Sequence, residues 1–323
     1  VSNVEQHPEE EVSAAEPADR PEILEPREVP LGGQRALMVR RTLPQRARSL
    51  LGAWCFADSF GPTPASAART MDTRPHPHTG LQTVSWLYAG KLEHRDSVGS
   101  LSSIVPGQVN LMTAGRGIQH SEVSTEDARG LHGVQLWVAL PEAHRWTEPS
   151  FEHYVPPPVT HGDATVRVFL GDLLGQSAPL TTFSPLVAAQ IDLPAGGEVR
   201  LPVSSAFEHG LLVDAGEPAL NGIEVGADQL CYVPPGSGEL VIRAGDAAVR
   251  ALLLGGEPLG EEIVMWWNFV GRSHDEIVAF RREWQSEVIG GANPSGRFGV
   301  VRGYDGDPLP APVLPNATLH PRH

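Results

Sequence analysis

Cysteine is nearly absent from this chain: two in 323 residues, Cys55 and Cys231, far apart and each in an apolar segment. That excludes a disulfide framework, a cysteine zinc site and a CxxC redox motif, and leaves both thiols as small buried hydrophobes. Positive charge is also scarce. Lys plus Arg is 24 against 39 Asp plus Glu, a formal charge of −15. A direct hold on nucleic acid or on an anionic membrane is excluded, because both need clustered positive charge. No apolar run approaches the roughly 20 residues that a membrane helix requires. With no signal peptide at this N-terminus, the expected setting is the reducing cytoplasm. The chain starts at Val1 without Met, so trimming is expected.

What is present is glycine and proline: 34 and 30, together about a fifth of the 323 residues, against an average of roughly 12%. Much of it separates short apolar runs: Ala36 to Thr42, Thr83 to Tyr88, Asn110 to Thr113, Gly133 to Ala139, Thr165 to Leu170, Leu186 to Leu193, Gly210 to Asp214, Gln229 to Val233, Glu239 to Ile242 and Ala248 to Leu254. Turn pairs such as Ala89-Gly90, Pro106-Gly107 and Ala215-Gly216 stand between them. Regular short strands with such turns specify a β-sandwich or barrel. One helix is expected, Ser273 to Val288, with Ser273 as N-cap, Glu276 three residues on, and Gly290-Gly291 as its end.

The first 25 residues are rich in Glu, Ala and Pro. From Glu5 to Glu28 nine acids face two arginines, 2 − 9 = −7, nearly half the total charge. Such a segment buries too little apolar surface to offset its ordering entropy, so 1–25 is expected to be a disordered acidic leader. A first module then spans 26–155, a PPPVTHG linker 156–164, a second module 165–270, and a helix with a loose Pro-rich tail 271–323. The halves share a faint pattern. WLYAGKLEH lies beside LLVDAGEPALNG, and LMTAGRG beside YVPPGSG, as two copies of one β unit would.

Thirteen histidines are scattered along the chain, and a lone histidine is ordinarily structural. RPHPHTG is different. His76 and His78 are two apart, so in an extended strand both imidazoles point to one side, and Pro77 stiffens that geometry. In TAGRGIQHSEV, His120 and Glu122 repeat the spacing. Two such strands facing each other across a sandwich would bring three imidazoles and a carboxylate to one centre, a set suited to a divalent Fe, Ni, Cu or Zn ion. In the second half His76 and His78 fall opposite Pro202 and Ser204, and His120 and Glu122 opposite about Val241 and Arg243. No four-donor set survives there, and Glu208 and His209, being adjacent, point opposite ways. One metal is therefore expected, in the first module.

RPHPHTGLQTVSWLYAGKLEHRDSVGS, MTAGRGIQHSE and GLHGVQLWVALP together resemble the pirin family of the cupin superfamily, from about Val39 through WWNFV (Trp266 to Val270) and the following helix. The resemblance implies an all-β bicupin: two tandem cupin-type β-sandwich or barrel modules with a short C-terminal helix. It implies the metal ligands His76, His78, His120 and Glu122, around one divalent ion that is usually Fe(II), with Zn, Mn, Ni or Cu able to occupy such sites. It also implies a monomer. Some members are quercetin 2,3-dioxygenases, which take a flavonol and O2, and Glu122 would then be ligand and proton acceptor together. Other members are metal- or redox-dependent regulators that bind a transcription factor or a metabolic enzyme. A third use of the ion is a structural staple.

Two positions depart from the family pattern. Gln82 stands where many members carry a Glu that cupins use as a ligand, and Ser59 stands where a His is frequent. A reaction that needs a carboxylate base at position 82 is thereby put in doubt. Two readings fit His94 and Asp96 of EHRDS: shaping of the pocket or, as we prefer, stabilisation of a turn. Gln135 and Trp137 likewise fit an outer contact to the site or plain core, and core is preferred. Met112 is read as core.

Overall fold

The apolar runs bounded by glycine turns become strands in a computed structural model of the chain, which describes residues 5, 7–9, 11–13, 19–31, 37–64, 71–125, 127–128 and 130–315. Each module pairs a seven-stranded with a four-stranded antiparallel sheet. In the first module the large sheet runs in the order Ser150–Tyr154, Val109–Thr113, Leu81–Ala89, His132–Ala139, Trp54–Phe60, Leu37–Leu43, Arg27–Leu31. Its small sheet runs Asp72–His78, Ile118–Ser124, Leu92–Asp96, Leu101–Ile104. In the second module the large sheet runs Val159–His161, Ala164–Leu170, Leu186–Leu193, Val249–Gly256, Glu208–Ala215, Leu230–Val233, Glu22–Leu24. Its small sheet is built on Glu198–Pro202 and Glu239–Arg243.

Period-two alternation decides what each face meets. Along Leu81–Ala89, Val84 and Trp86 join a core shared with Ala188, Leu252 and Leu254 of the other large sheet. Leu81 packs in a separate cluster with Phe56, Met112 and Trp137, which Ile263, Met265 and Val270 complete. The two large sheets thus pack on each other. Trp86 stacks on Phe169 with centroids 4.4 Å apart, and its indole N–H donates to Gln190 at 2.7 Å. Trp54 donates to the Gly255 carbonyl at 3.1 Å. Burying Trp, Phe and Leu side chains here contributes about 2–3 kcal/mol each before entropy is counted. Both cysteines are free and buried, and burial pushes the Cys55 thiol up to about 12.

Three expectations are corrected. Within 1–25, Glu22–Leu24 pairs with Leu230–Tyr232 and Leu24 sits in the core between the modules. Glu11–Ser13 pairs with Ile263–Met265, and the Trp266 indole donates to the Pro8 carbonyl at 3.1 Å. Composition asks whether a segment can build its own core; this one is ordered by sheet edges that already exist. Residues 1–4, 6, 10 and 14–18 lie outside the described residues. The stretch read as linker holds a strand, Val159–His161, paired with Ala164–Val166. The tail before residue 316 is tied down. Leu309 donates to the Pro75 carbonyl at 2.8 Å, and the Trp284 indole donates to the Leu309 carbonyl at 2.8 Å.

The expected helix is present as an α-helix, His274–Glu283, continued by a π-helical stretch, Trp284–Ile289. Ser273 caps it by accepting from the Glu276 N–H, whereas the Glu276 carboxylate reaches the Arg272 N–H at 2.8 Å and the Arg145 guanidinium. Its apolar face, Ile277 and Phe280, packs with Trp266, Phe269 and Phe298. No helix among the described residues is long and apolar enough to cross a membrane.

Candidate metal centre

The PHPH run forms an edge strand, the one place in a sheet where prolines cost little. Its partner is Ile118–Ser124, with His78 opposite Ile118 and His76 directly opposite His120. A bulge between His120 and Glu122 brings Glu122 opposite Thr73. At Gly80, after the strand, φ is +69° and an added Cβ would collide with the Val270 carbonyl, so the turn requires glycine. The two donor strands are therefore hydrogen-bonded neighbours in one sheet, and do not face each other across the sandwich as expected. Directly opposed residues keep their Cβ atoms about 5 Å apart, which makes adjacency the shorter route to convergence.

The three imidazole rings lie 4.4–5.1 Å apart, centroid to centroid. One ring nitrogen from each of His76, His78 and His120 lies within 4.8 Å of the others, and all three residues are fully buried. Burial pushes His76 down to about 4 and holds His78 and His120 well below the ordinary histidine value. All three are thus neutral at pH 7, with lone pairs available. His76 Nδ1 lies 2.8 Å from the Arg74 carbonyl. A carbonyl only accepts, so that nitrogen carries the hydrogen and Nε2 is left to coordinate.

A second group of donors overlaps the first: His94, His120 and Glu122, again within 4.8 Å. His94 is thus drawn into the site rather than serving the turn alone. It stands opposite Glu122 on the neighbouring strand, with Nδ1 3.2 Å from His120 Nδ1. Asp96 does brace the turn, accepting from the Val98 and Ser100 N–H groups at 3.0 and 2.8 Å. Its other oxygen lies 3.0 Å from His94 Nε2.

Ser85 was missed by sequence reasoning. Its hydroxyl lies 3.2 Å from Glu122 Oε1 and 3.1 Å from Gln135 Oε1. Gln135 therefore contacts the site's outer edge and is more than core filling. The available signal was buried polarity at alternating positions: Thr83 and Ser85 on one strand, Gln135 on the next. Trp137 stands edge-on to His78 at 5.2 Å and stacks on Phe56 at 4.0 Å. Behind them is a cavity of about 200 Å³, lined by Arg41, Phe56, Trp137, Trp266 and Trp267 together with Glu5, His7 and Glu9. Met112 is core, as expected.

Gln82 is not among the donors. Its amide donates to Thr113 Oγ1 and to the Thr181 carbonyl, both at 2.9 Å. Ser59 lies opposite Arg40 and Val134 in the large sheet, also outside the donor set. In the second module the corresponding strands pair Leu201 with Leu240 and Val199 with Ile242, all buried and apolar. The inward positions are these, one residue out from the Pro202 and Val241 register expected. Glu208 and His209 do part company. Glu208 accepts from the Tyr232 hydroxyl at 2.8 Å, and His209 points into its own module beside Gly255.

The same architecture and motifs recur in known proteins. A family model described as Pirin matches residues 36–138, and a second, Pirin C-terminal cupin domain, matches 188–290. A Pseudomonas aeruginosa protein provisionally named quercetin 2,3-dioxygenase is 40% identical over 88% of this chain and 88% of its own. The chain belongs to the pirin family. A pirin-like protein of Caulobacter vibrioides is 35% identical over 77% of this chain and 88% of its own. The crystal structure of quercetin 2,3-dioxygenase from Acinetobacter baumannii superposes with a TM-score of 0.84 at 37% identity, covering 93% of this chain and 97% of that one. The bicupin fold of this pirin is thereby established, and its first module carries a donor set of the kind that holds a divalent metal ion.

Proposed function

We propose that this pirin is a metal-dependent dioxygenase that opens the ring of quercetin-type flavonols with O2, using one ion held by His76, His78, His120 and Glu122. The observation that carries the reading is the cluster of three buried, neutral imidazoles, His76, His78 and His120, with ring nitrogens within 4.8 Å of one another, and Glu122 beside it in an overlapping group with His120 and His94. Nitrogen donors with one carboxylate suit Fe(II), and Zn, Mn, Ni and Cu accept the same set. The names carried by the Pseudomonas and Acinetobacter relatives support the substrate class.

A divalent ion there would supply Lewis acidity that stabilises the anion of the flavonol 3-hydroxyl. Around it the chain's own residues have separable tasks. Glu122, besides coordinating, accepts the hydroxyl proton, and Ser85 fixes the carboxylate rotamer from 3.2 Å. The Phe56–Trp137 stack presents a flat apolar wall beside His78, and the same two rings line the cavity of about 200 Å³ into which the ring of an aromatic substrate would enter. Gln82 has no carboxylate and is engaged with Thr113 and Thr181, so the base assigned in this reading is Glu122.

Anaerobic loading with Fe(II), followed by quercetin in air, should bleach the flavonol absorbance and release CO. A fully loaded protein that does neither removes the proposal. Glu122→Gln should lose turnover; a variant with full metal content and full activity removes Glu122 from its role. One observation favours the second reading, a metal-dependent regulator: all four donors are at most 2% exposed, as in a site sealed from small molecules. Retained binding of a partner protein only in the metal-loaded form, without flavonol turnover, would select it.

A further inference from the structure

We propose that Asp96 and His94 are positioning residues that set the tautomer of His120 and so decide which of its nitrogens is free for the metal; this rests on reading His120 as a ligand. The chain of contacts is short and buried. Asp96 Oδ2 lies 3.0 Å from His94 Nε2, and His94 Nδ1 lies 3.2 Å from His120 Nδ1. Asp96 and His120 are 2% and 0% exposed, and His94 is 5% exposed.

With His94 as a neutral imidazole, each link leaves one choice. An ionised carboxylate only accepts, so His94 Nε2 carries the hydrogen. In the neutral imidazole His94 Nδ1 is then the acceptor, and His120 Nδ1 must donate to it. The lone pair of His120 is left on Nε2. The alternative tautomer of His120 would set two lone pairs against each other at 3.2 Å. His76 reaches the same state more simply, through the Arg74 carbonyl. At His120 the aspartate–histidine pair plays the part that the Arg74 carbonyl plays at His76. Ligating histidines ordinarily have such an outer acceptor, and losing one costs roughly 10–100-fold in metal affinity.

The surroundings hold this pair in one geometry. The His94 ring stacks on Phe151 with centroids 4.5 Å apart and planes 22° from parallel. Asp96 Oδ1 is fixed by the Val98 and Ser100 N–H groups. That last detail makes one isosteric variant informative. In Asp96→Asn the amide oxygen would keep the two backbone donors, and the NH2 group would face His94 Nε2. His94 would then have to accept there and carry its hydrogen on Nδ1. His120 would accept at Nδ1 and carry its own hydrogen on Nε2, where the metal must bind.

The experiment reads tautomers and affinity separately. Long-range 1H–15N spectra of the metal-free protein should show His94 as the Nε2–H form and His120 as the Nδ1–H form. Asp96→Asn should exchange both, and should weaken Ni(II) binding, measured by chelator competition, about 10–100-fold. In a His94→Gln background the same substitution should change Ni(II) affinity less than about 3-fold, because the Gln amide can serve either polarity. Unchanged tautomers and affinity in Asp96→Asn overturn the proposal, as does an equal loss in the His94→Gln background, which would mark Asp96 as a loop residue only. If Asp96→Asn fails to fold, the wild-type tautomers decide: any pattern other than the one above overturns it. Failure of the ligand reading looks different, since Ni(II) would then bind His120→Ala as tightly as wild type.

Discussion

The two modules share an architecture and differ in what fills them. The interior of the second is aliphatic: Val166, Val168, Ile191, Val199, Leu201, Leu211, Leu240, Ile242 and Leu253 form one cluster. Of the buried polar residues between 164 and 256, Gln190 and Glu208 reach Trp86 and Gly52 of the first module. That leaves His209 as the lone polar side chain in its module's interior, pushed down to about 4 by burial. The first module buries His76, His78, His94, His120 and Glu122 as two overlapping donor groups that share His120, with Ser85 linking Glu122 to Gln135. Burying polar groups is costly unless each is partnered. The cluster of neutral imidazoles at His76, His78 and His120 is best rationalised by a cation that turns their lone pairs to use. The interior of one module is filled by aliphatic packing, and that of the other has exchanged packing for chemistry.

The comparison breaks most sharply at the donors. His120→Ala should abolish high-affinity metal binding, a larger loss than the roughly 10–100-fold that an outer partner is worth. Metal analysis of protein purified without chelators should fall from one ion per chain to none. A second ion persisting in the variant would place a site outside the first module. Next in size is the mirror change in the other core. Leu201→Ala should cost about 2–5 kcal/mol of stability, read by denaturant unfolding, and leave metal stoichiometry intact. An effect on metal content would mean that the modules are not independent in this respect.

Protonation sharpens the contrast further. The folded values of His76 and His209 are depressed to about 4, so between that pH and about 6.5 the unfolded chain binds protons that the folded chain refuses. The metal-free protein should be fully stabilised above about pH 6.5 and lose stability as the pH falls towards 4. His209→Leu should flatten part of that slope without touching metal binding. A metal-free protein with flat stability across this window would contradict the burial argument. The smallest effect is expected at Ser85→Ala, which removes one hydrogen bond to Glu122. About 1 kcal/mol, or several-fold in metal affinity, should be lost, with no measurable change in the second module.

Much of this was legible in the chain. The strand at Leu186–Leu193 has the expected bounds, and Gly133 to Ala139 lies inside His132–Ala139, because period-two patterning and glycine turns are local signals. Trp54–Phe60 was not anticipated. It is buried at every position, so it shows no alternation to read. Glu198–Pro202 is too short and charged to stand out. Gln135 was set aside as core because nothing in its own strand reveals Ser85 on the neighbouring one.

The sequence by itself determined the donor types and their spacing: His76 with His78 and His120 with Glu122, two apart, must each share a strand face. It also determined that the second module lacks them. Only the tertiary structure decided that the two pairs meet on adjacent strands, that His94 and Asp96 stand behind His120, and that part of the acidic leader is ordered. Each of these depends on cross-strand register between segments that can be tens or hundreds of residues apart. That register is fixed by the packing of whole sheets, which no local pattern encodes.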